Sequence, residues 1–494
     1  MPFAWNLPYL SVFLTMVTAI LLSVLPGAKR AYRITVCVAA AVAGMSLAFL
    51  VFIANADASY AFTMGKFPAP FGNEIKFGPL QGIFAYVFSS VMCLSLLGGR
   101  EELFEDVDPK KMGLACVMFN MVLASLLVLS YTNDAFTAYV FIEISTIAAC
   151  ALVMIKDSGP TLVATVRYLF MSLLGSGLFL FSIILLYAIT GHLLMPQLTE
   201  SVQRLMADGS YTKVLALLLG MMTAGLGVKS AMFPFHRWLP DAHGTATTSS
   251  SAVLSGLVVK GYAVLLITMY VRVFTLDTVR AFHIHDAVFA LGFCGMILGS
   301  VMAIRETHAK RMLAYSSVAQ LGYVFMGIGL GTPAGVAAAC FQILAHAFTK
   351  PLLFVSVGRL ASTVGHDKQL RSLRGTAWGC PLAGLGFGVG ALSMVGIPLF
   401  GGFAAKVNFS TASLFSDSKI ALTLFVLALS SVLNALYYIP ALINIWSEKN
   451  PSAKDAEKDY TATAAIVLLA AGVLFLGLRF TPVMDLIVRG LELM

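Results

Sequence analysis

Long apolar runs recur along this chain from one end to the other, separated by polar connections. Each run is about 20 residues long, the length that lets an α-helix cross roughly 30 Å of hydrocarbon. Because lipid offers the backbone no hydrogen-bonding partner, the runs are predicted to be helices. Fourteen spans are predicted, at residues 7–26, 32–54, 80–97, 112–130, 134–155, 162–189, 212–234, 246–271, 287–304, 310–330, 334–358, 382–412, 419–446 and 461–478.

Composition excludes a soluble globular protein. Hydrophobic residues make up 59% of the chain and charged residues only 11%, and the mean hydropathy is +0.88. No soluble domain or long linker interrupts the spans, so residues 1–494 are predicted to form one all-α polytopic membrane domain. Two alternatives stay open for residues 483–493, which either extend the last span or lie along the membrane interface.

Basic residues are distributed unevenly between the two sets of connections. Of the 32 Lys and Arg residues, 19 lie in or beside connections that follow odd-numbered spans, and 7 follow even-numbered spans. Because Lys and Arg are enriched on the cytoplasmic side, both termini are predicted to lie outside a prokaryotic cytoplasmic membrane. The uncharged start MPFAWN predicts an uncleaved anchor. No basic stripe supports a nucleic-acid partner.

The sequence predicts no redox centre in this chain. Its seven cysteines are scattered and form no CxxC pair, which argues against an iron–sulfur or zinc site. No Gly-rich phosphate loop follows a strand pattern, which argues against nucleotide binding. The source of energy is therefore expected in other subunits.

Five charged residues lie deep in the predicted spans: Glu143, Lys229, Lys260, Lys350 and Lys406. A charge at the bilayer centre costs on the order of 2.5 to 3.5 kcal/mol. A single carboxylate cannot neutralise four lysines. The pattern therefore favours titrating sites linked by water, or partners on neighbouring subunits.

Two segments combine Gly or Pro with one of these lysines and are predicted to interrupt a helix inside the membrane. They are GLGVKSAMFPFHRWLPDAHG (225–244) in span 7 and VGIPLFGGFAAKVNFS (395–410) in span 12. Transporters use interrupted helices at the midplane to bind ions or water. Because five spans separate the interruptions, two copies of a repeat would have opposite orientations in the membrane.

Six ordered motifs carry a resemblance to a known family. They are FIEIS (141–145), KSAMFPFHRWLPDAH (229–243), SSAVLSGLVVKGY (250–262), KRMLAYSSVAQLGY (310–323), AHAFTKPLLFVSVG (345–358) and GIPLFGGFAAK (396–406). Together they resemble the antiporter-like membrane subunits of respiratory complex I. The same family includes Mrp-type sodium/proton antiporters and the ion-pumping subunits of membrane-bound nickel–iron hydrogenases and formate hydrogenlyases.

The resemblance implies a fold and a domain organisation. It implies fourteen transmembrane helices, with spans 4–8 (112–271) and 9–13 (287–446) as two inverted five-helix repeats in which helices 7 and 12 are broken. A three-helix segment (1–97) would precede the repeats, and a C-terminal helix (461–494) would follow them.

The resemblance also implies a proton-transfer route. Glu143 and Lys229 would form a switchable ion pair, Lys260 would receive the proton through water, and Lys406 would exchange it with one side of the membrane. The alternative for Glu143 and Lys229 is a fixed ion pair with a structural role only.

Three further residues are candidates for the same route. His346 and Lys350 lie four residues apart on one helix face and would act as a relay, while His243 would feed the path from a span end. As alternatives, Lys350, which precedes Pro351, would snorkel to the interface and His346 would be a packing residue.

The function implied is that of a non-catalytic, proton-translocating subunit of a redox-driven membrane complex. Its expected partners are other membrane subunits and a peripheral redox arm that holds iron–sulfur clusters and nickel–iron or flavin cofactors. The segment FPFHRWLPDAHG (233–244) favours the hydrogenase and formate hydrogenlyase branch. The alternatives are a subunit of a Mrp-type antiporter, with sodium possible through neighbouring subunits, and a membrane partner of a peripheral bicarbonate-accumulating protein. A scaffold without transport leaves the lysines unexplained.

Overall fold

A computed structural model describes residues 3–25, 27–56, 58–67, 72–416, 418–450, 453 and 455–494. In these ranges the α-helices are α1 (Leu7–Val24), α2 (Ala28–Ala56), α3 (Pro79–Gly98), α4 (Arg100–Asp106), α5 (Met112–Tyr131), α6 (Ala135–Met154), α7 (Gly159–Thr190), α8 (Met195–Ala207), α9 (Thr212–Lys229), α10 (Trp238–Thr245), α11 (Thr248–Val253), α12 (Val259–Thr268), α13 (Thr275–Ala281), α14 (Ile284–Arg305), α15 (Ala309–Gly329), α16 (Pro333–Ser362), α17 (Pro381–Val395), α18 (Gly401–Ser413), α19 (Ile420–Ile445), α20 (Tyr460–Leu478) and α21 (Phe480–Glu492). Strands β1 (Tyr60–Thr63) and β2 (Glu74–Phe77) pair as an antiparallel hairpin, with Tyr60 opposite Phe77.

The predicted all-α polytopic membrane fold is confirmed. Within the described residues, 13 helical stretches are long and apolar enough to cross a membrane. Predicted span 12 is not among them because it is divided into the short helices α17 and α18. The chain is therefore an integral membrane protein, and α21 begins a new helix after Arg479 rather than extending α20.

Connections that follow odd-numbered spans meet one another at one end of the helices, which we call the basic face. There Lys156 Nζ lies 2.6 Å from an oxygen of Asp106, and Arg359 pairs with Glu101. These contacts join the connections after spans 3, 5 and 11. The helices therefore alternate in direction, as the predicted topology requires.

Connections that follow even-numbered spans meet at the opposite face. Lys419 Nζ lies 2.6 Å from Asp286, which joins the connection after span 12 to the start of span 9. The rings of Trp5 and Tyr60 are 5.0 Å apart, and Lys76 Nζ donates to the carbonyl of Met494 at 2.5 Å. Residues near both ends of the chain thus lie at the same face.

Both predicted helix interruptions are present. Helix α9 ends at Lys229, and α10 begins only at Trp238. Helix α17 ends at Val395, and α18 begins at Gly401. The sequence did not predict two further irregularities. These are the π-helical turns at Leu254–Val258 and Met269–Phe274, on either side of α12.

The candidate residues are carried mainly by the innermost helices. Every residue of the most apolar 18-residue segment of α16 is buried, and the same is true of the stretch from α11 to α13. In α2, only 28% of the most apolar 18-residue segment is buried. Helices α1, α2 and α20 therefore form part of the outer layer. Asp134 caps α6 by accepting a hydrogen bond from the Thr137 amide at 2.6 Å.

Candidate functional site

The structure brings Glu143 and Lys229 together. Lys229 Nζ lies 3.8 Å from Glu143 Oε1 and donates a hydrogen bond to Thr146 Oγ1 at 2.5 Å. Glu143 and Thr146 share one face of α6 because they are three residues apart. Lys229 is the last residue of α9, where the negative end of the helix dipole favours a cation.

The two members of this pair differ in exposure. The Lys229 side chain is 0% exposed and the Glu143 side chain 24% exposed. Tyr262 lies beside the pair, with its ring centroid 5.7 Å from Lys229 Nζ, and its hydroxyl bonds to Ser145 Oγ at 2.7 Å. The ammonium is therefore enclosed by protein, while the Glu143 side chain is partly exposed although its Oε1 atom is buried.

Lys260 is fully buried in α12 and is held by the backbone. Its Nζ donates to the carbonyl of Ser255, which lies in the π-helical turn just before α12. A π turn changes the backbone hydrogen-bonding pattern and is frequent at functional sites. The Ser255 hydroxyl also bonds to Ser317 Oγ at 2.8 Å, which links this turn to α15.

Lys350 is fully buried and does not snorkel to the interface. Its Nζ donates to the carbonyl of Leu313 at 2.8 Å and to the hydroxyl of Tyr438 at 3.1 Å. His346 is fully buried one turn earlier, and its two ring nitrogens have no hydrogen-bond partner among the described residues. Helix α12, which carries Lys260, packs against α16, which carries His346 and Lys350.

Lys406 is held at the interruption between α17 and α18. Its Nζ donates to the carbonyl of Val395 at 2.5 Å and to Ser431 Oγ at 2.7 Å. Val395 is the last residue of α17, so the helix itself leaves this carbonyl without an amide partner. Lys406 is partly exposed, as Glu143 is.

Replacing Gly396 with alanine should disturb this lysine. A methyl group on Gly396 would lie 2.6 Å from Lys406 Nζ, and the φ angle of +95° favours glycine. We expect lower proton transport and a free energy of unfolding reduced by about 1–3 kcal/mol. Transport assays and thermal unfolding of the purified complex measure both effects.

The matched control is Gly388→Ala in α17. A methyl group there would meet only Leu442 Cδ1 at an ordinary distance of 3.5 Å. The control should behave as the native protein does. Native transport in Gly396→Ala would contradict the importance of the Lys406 position.

A buried charge cluster at the basic face was missed by the sequence analysis. Glu102 in α4 is only 5% exposed, and its Oε1 lies 2.9 Å from Lys368 Nζ and 3.7 Å from Lys310 Nζ. Thr248 also donates a hydrogen bond to it. In the sequence, Lys310 and Lys368 are two of the basic residues in or beside the connections that follow odd-numbered spans. Their burial depends on which connections converge, and no local pattern encodes that.

The Glu102 carboxyl is held in its ionised form. Burial alone would raise its pKa, but the charges of Lys310 and Lys368 and the hydrogen bond from Thr248 outweigh burial and hold the pKa well below its usual value. Glu102 is thus a second interior carboxylate, at the edge of the membrane domain rather than on the line of lysines.

His243 lies between this cluster and the lysines. It is fully buried, its ring stacks on Phe354 at 5.1 Å, and neither ring nitrogen has a hydrogen-bond partner among the described residues. The charges of Lys310, Lys260 and Lys350 all act on it. His243 is therefore near Lys260 and Lys350 on one side and Lys310 on the other.

A protein-family model, curated relatives and solved structures all match this chain. A family model described as "NADH:quinone oxidoreductase/Mrp antiporter, TM" matches residues 132–434. NADH-quinone oxidoreductase subunit N of Desulforudis audaxviator is 32% identical over 399 residues, which cover 79% of this chain and 76% of that protein.

Two solved structures share the fold. The first is a chain of the membrane-bound sulfane sulfur reductase, an archaeal respiratory membrane complex, with a TM-score of 0.88, 24% identity, and coverage of 99% of this chain and 97% of that one. The second is a chain of the Mrp complex from Dietzia sp., with a TM-score of 0.86, 20% identity, and coverage of 100% and 97%.

Proposed function

Because the chain belongs to the NADH:quinone oxidoreductase/Mrp antiporter family, as its motifs indicated, we propose that it is a proton-translocating subunit of a redox-driven membrane complex. The observation that carries this proposal is the set of interior lysines without carboxylate partners. Among the described residues, Lys260, Lys350 and Lys406 have no carboxylate within 4.0 Å. Fixed ammonium groups in such positions would be costly.

The lysines are supported in a way that suits changes of protonation. Lys260, Lys350 and Lys406 each donate to a backbone carbonyl. These carbonyls can bind an ammonium, and water can take over the contact when the amine is neutral. A lysine bound only by a carboxylate would resist losing its proton more strongly.

The ion pair is proposed to start the transfer. A nearby carboxylate favours the charged form of a lysine, whereas desolvation favours the neutral form. When Glu143 moves away from Lys229, the proton would pass through water to Lys260. His346 and Lys350 would carry it onward to Lys406.

The proposed route begins at Glu143 and ends at Lys406, and the partial exposure of both residues supports contact with neighbouring subunits. Glu143 and Lys406 are partly exposed on an apolar exterior, while Lys229, Lys260 and Lys350 are buried. A carboxylate facing lipid would be costly, so neighbouring membrane subunits are proposed to cover these positions. One neighbour would supply the charge that moves Glu143.

The remaining features of the proposal follow from the loops and the helix interruptions. The basic face is proposed to be cytoplasmic because it carries most of the Lys and Arg residues of the connections. Residues 112–271 and 287–446 are proposed to be inverted repeats. In support, each contains an interrupted helix with a lysine at the interruption, Lys229 or Lys406.

Identifying the partners tests the proposal. The complex that contains this chain would be purified from its native membrane in mild detergent and analysed by mass spectrometry. We expect a peripheral arm with iron–sulfur and nickel–iron or flavin subunits. If only small membrane subunits copurify, the redox-driven proposal is wrong and the Mrp-type antiporter, which shares the fold, is the correct assignment.

Exchanging Lys406 for glutamate should preserve part of the activity. Glutamate retains a titratable group at the end of the line, although its acceptor oxygens cannot donate to Val395 or Ser431 as Lys406 does. We expect transport between that of the native complex and that of Lys406→Ala, measured with a pH-sensitive dye in proteoliposomes. Complete loss in a normally assembled complex would contradict a general titrating role.

A further inference from the structure

Three connections of the basic face converge on Glu102. The carboxylate comes from α4, Lys368 from the segment after α16, and Lys310 from the first turn of α15. Thr248, at the start of α11, donates to the same carboxylate. The stretch that begins with α11 leads directly to Lys260. Glu102 is therefore bonded to the first residue of the helical stretch that carries Lys260.

A narrow cleft connects Glu102 with the exterior. The cleft is lined by Glu101, Glu102, Thr248 and His366, among others, and has a volume of about 10 Å³, close to the minimum that one water molecule requires. The His366 side chain is 35% exposed and lies 2.8 Å from Glu105. Glu102 is thus buried beside a cleft about large enough for one water molecule.

On its inner side the cluster leads to His243. Lys310 Nζ donates to the carbonyl of Ala246 at 2.6 Å, in the segment between α10 and α11. His243 lies in the last turn of α10, and its carbonyl accepts a hydrogen bond from Ser251 Oγ at 3.2 Å. Lys310 therefore contacts Glu102 on one side and the backbone near His243 on the other.

We propose that Glu102, Lys310 and His243 form the inlet through which protons pass from the basic face to Lys260. This inference rests on the proposed function. It assigns a transport role to Glu102 and Lys310 and places His243 between Lys310 and Lys260. Lys368 holds the carboxylate in place throughout.

The transfer conserves protons and charge. The Glu102 carboxylate stays ionised and attracts the Lys310 ammonium, whose Nζ lies 3.7 Å away. Lys310 then gives a proton to the His243 imidazole through water, and the imidazolium passes it to the Lys260 amine. The neutral Lys310 amine then takes up a proton that enters through the cleft, and the inlet returns to its starting state with one proton transferred.

The decisive variant is Glu102→Gln in the complete complex. Glutamine has a similar shape, but it keeps only one of the two oxygens that accept from Thr248 and Lys368, and it removes the negative charge that attracts the Lys310 ammonium. Pumping would be measured in proteoliposomes with a pH-sensitive dye, driven by the electron donor of the complex. Since positioned proton-transfer groups contribute roughly 10²- to 10⁴-fold, we expect at least a tenfold slower initial rate, with recovery in Glu102→Asp.

The matched control is Asp106→Asn on the same helix. Asp106 also loses an ion pair, with Lys156 at 2.6 Å, but it does not line the cleft. Its pumping rate should stay native. A native rate in Glu102→Gln, or equal slowing in both variants, would overturn the inlet.

A second variant tests whether Glu102→Gln slows pumping only because it disturbs the structure of the charge cluster. His243→Leu leaves the charge cluster intact, and we expect it to slow pumping as well. Native pumping in His243→Leu would overturn the proposal even if Glu102→Gln assembled poorly. If Lys229→Ala abolishes pumping while the inlet variants do not slow it, the inlet fails and the proposed function stands. If Lys229→Ala also pumps normally, the proposed function fails.

Discussion

Replacing Lys229 with alanine should abolish proton translocation while the complex still assembles. Lys229 is the partner of Glu143 at 3.8 Å and the predicted donor to Lys260. Without the ammonium, movement of Glu143 has no proton to release. Proton transfer is measured in proteoliposomes, and assembly is measured by gel filtration of the purified complex. The loss should be about 10²-fold or more, the range for positioned proton-transfer groups.

The control for this variant lies on the same helix. Lys213 is in the first turn of α9 and is exposed, so Lys213→Ala removes a lysine without touching the ion pair. We expect native transport there. Full proton flux in an assembled Lys229→Ala complex would show that Glu143 and Lys229 are a fixed structural pair.

Replacing Lys260 with methionine should separate transport from stability. Methionine fills a similar volume and adapts well to buried sites, and a buried charge is removed in the process. The Ser255 carbonyl loses its lysine donor, a cost of about 1–3 kcal/mol that removal of the charge offsets. We therefore expect transport to be lost with little change in the thermal unfolding temperature.

Arg272→Met serves as the control, and we expect it to lower stability without abolishing transport. Arg272 is a buried cation of the same helical stretch, but it bonds to Asn133 at the opposite face, away from the lysine line. Its loss should lower stability, while each assembled complex still transports protons. If Lys260→Met pumped normally, Lys260 would have no place in the route.

Much of the site was predictable from the sequence because the bilayer imposes strict local rules. A lysine in an apolar run is conspicuous, so Lys229, Lys260, Lys350 and Lys406 were found by position alone. Gly and Pro beside Lys229 and Lys406 predicted the interruptions. The pairing of Glu143 with Lys229 was expected from the family resemblance, and the structure places them 3.8 Å apart.

Other parts of the site depend on contacts that no local pattern encodes. Lys368 and Glu102 are 266 residues apart in the chain, and each lies in a polar connection that looks solvent-exposed in sequence. The π turn that gives Lys260 its carbonyl partner has no obvious signal, because Leu254–Val258 is apolar and helical in character.

The sequence by itself determined the membrane fold, the basic face and the identity of the deep charges. These properties follow from the hydropathy and charge of each segment, because each helix must satisfy its own backbone hydrogen bonds in lipid and loop charge sets its orientation. Only the tertiary structure decided which carbonyls hold the lysines, that Glu143 is partly exposed, and that Glu102 is buried beside Lys310. Those properties depend on how distant helices and connections pack together, and packing is a property of the whole chain.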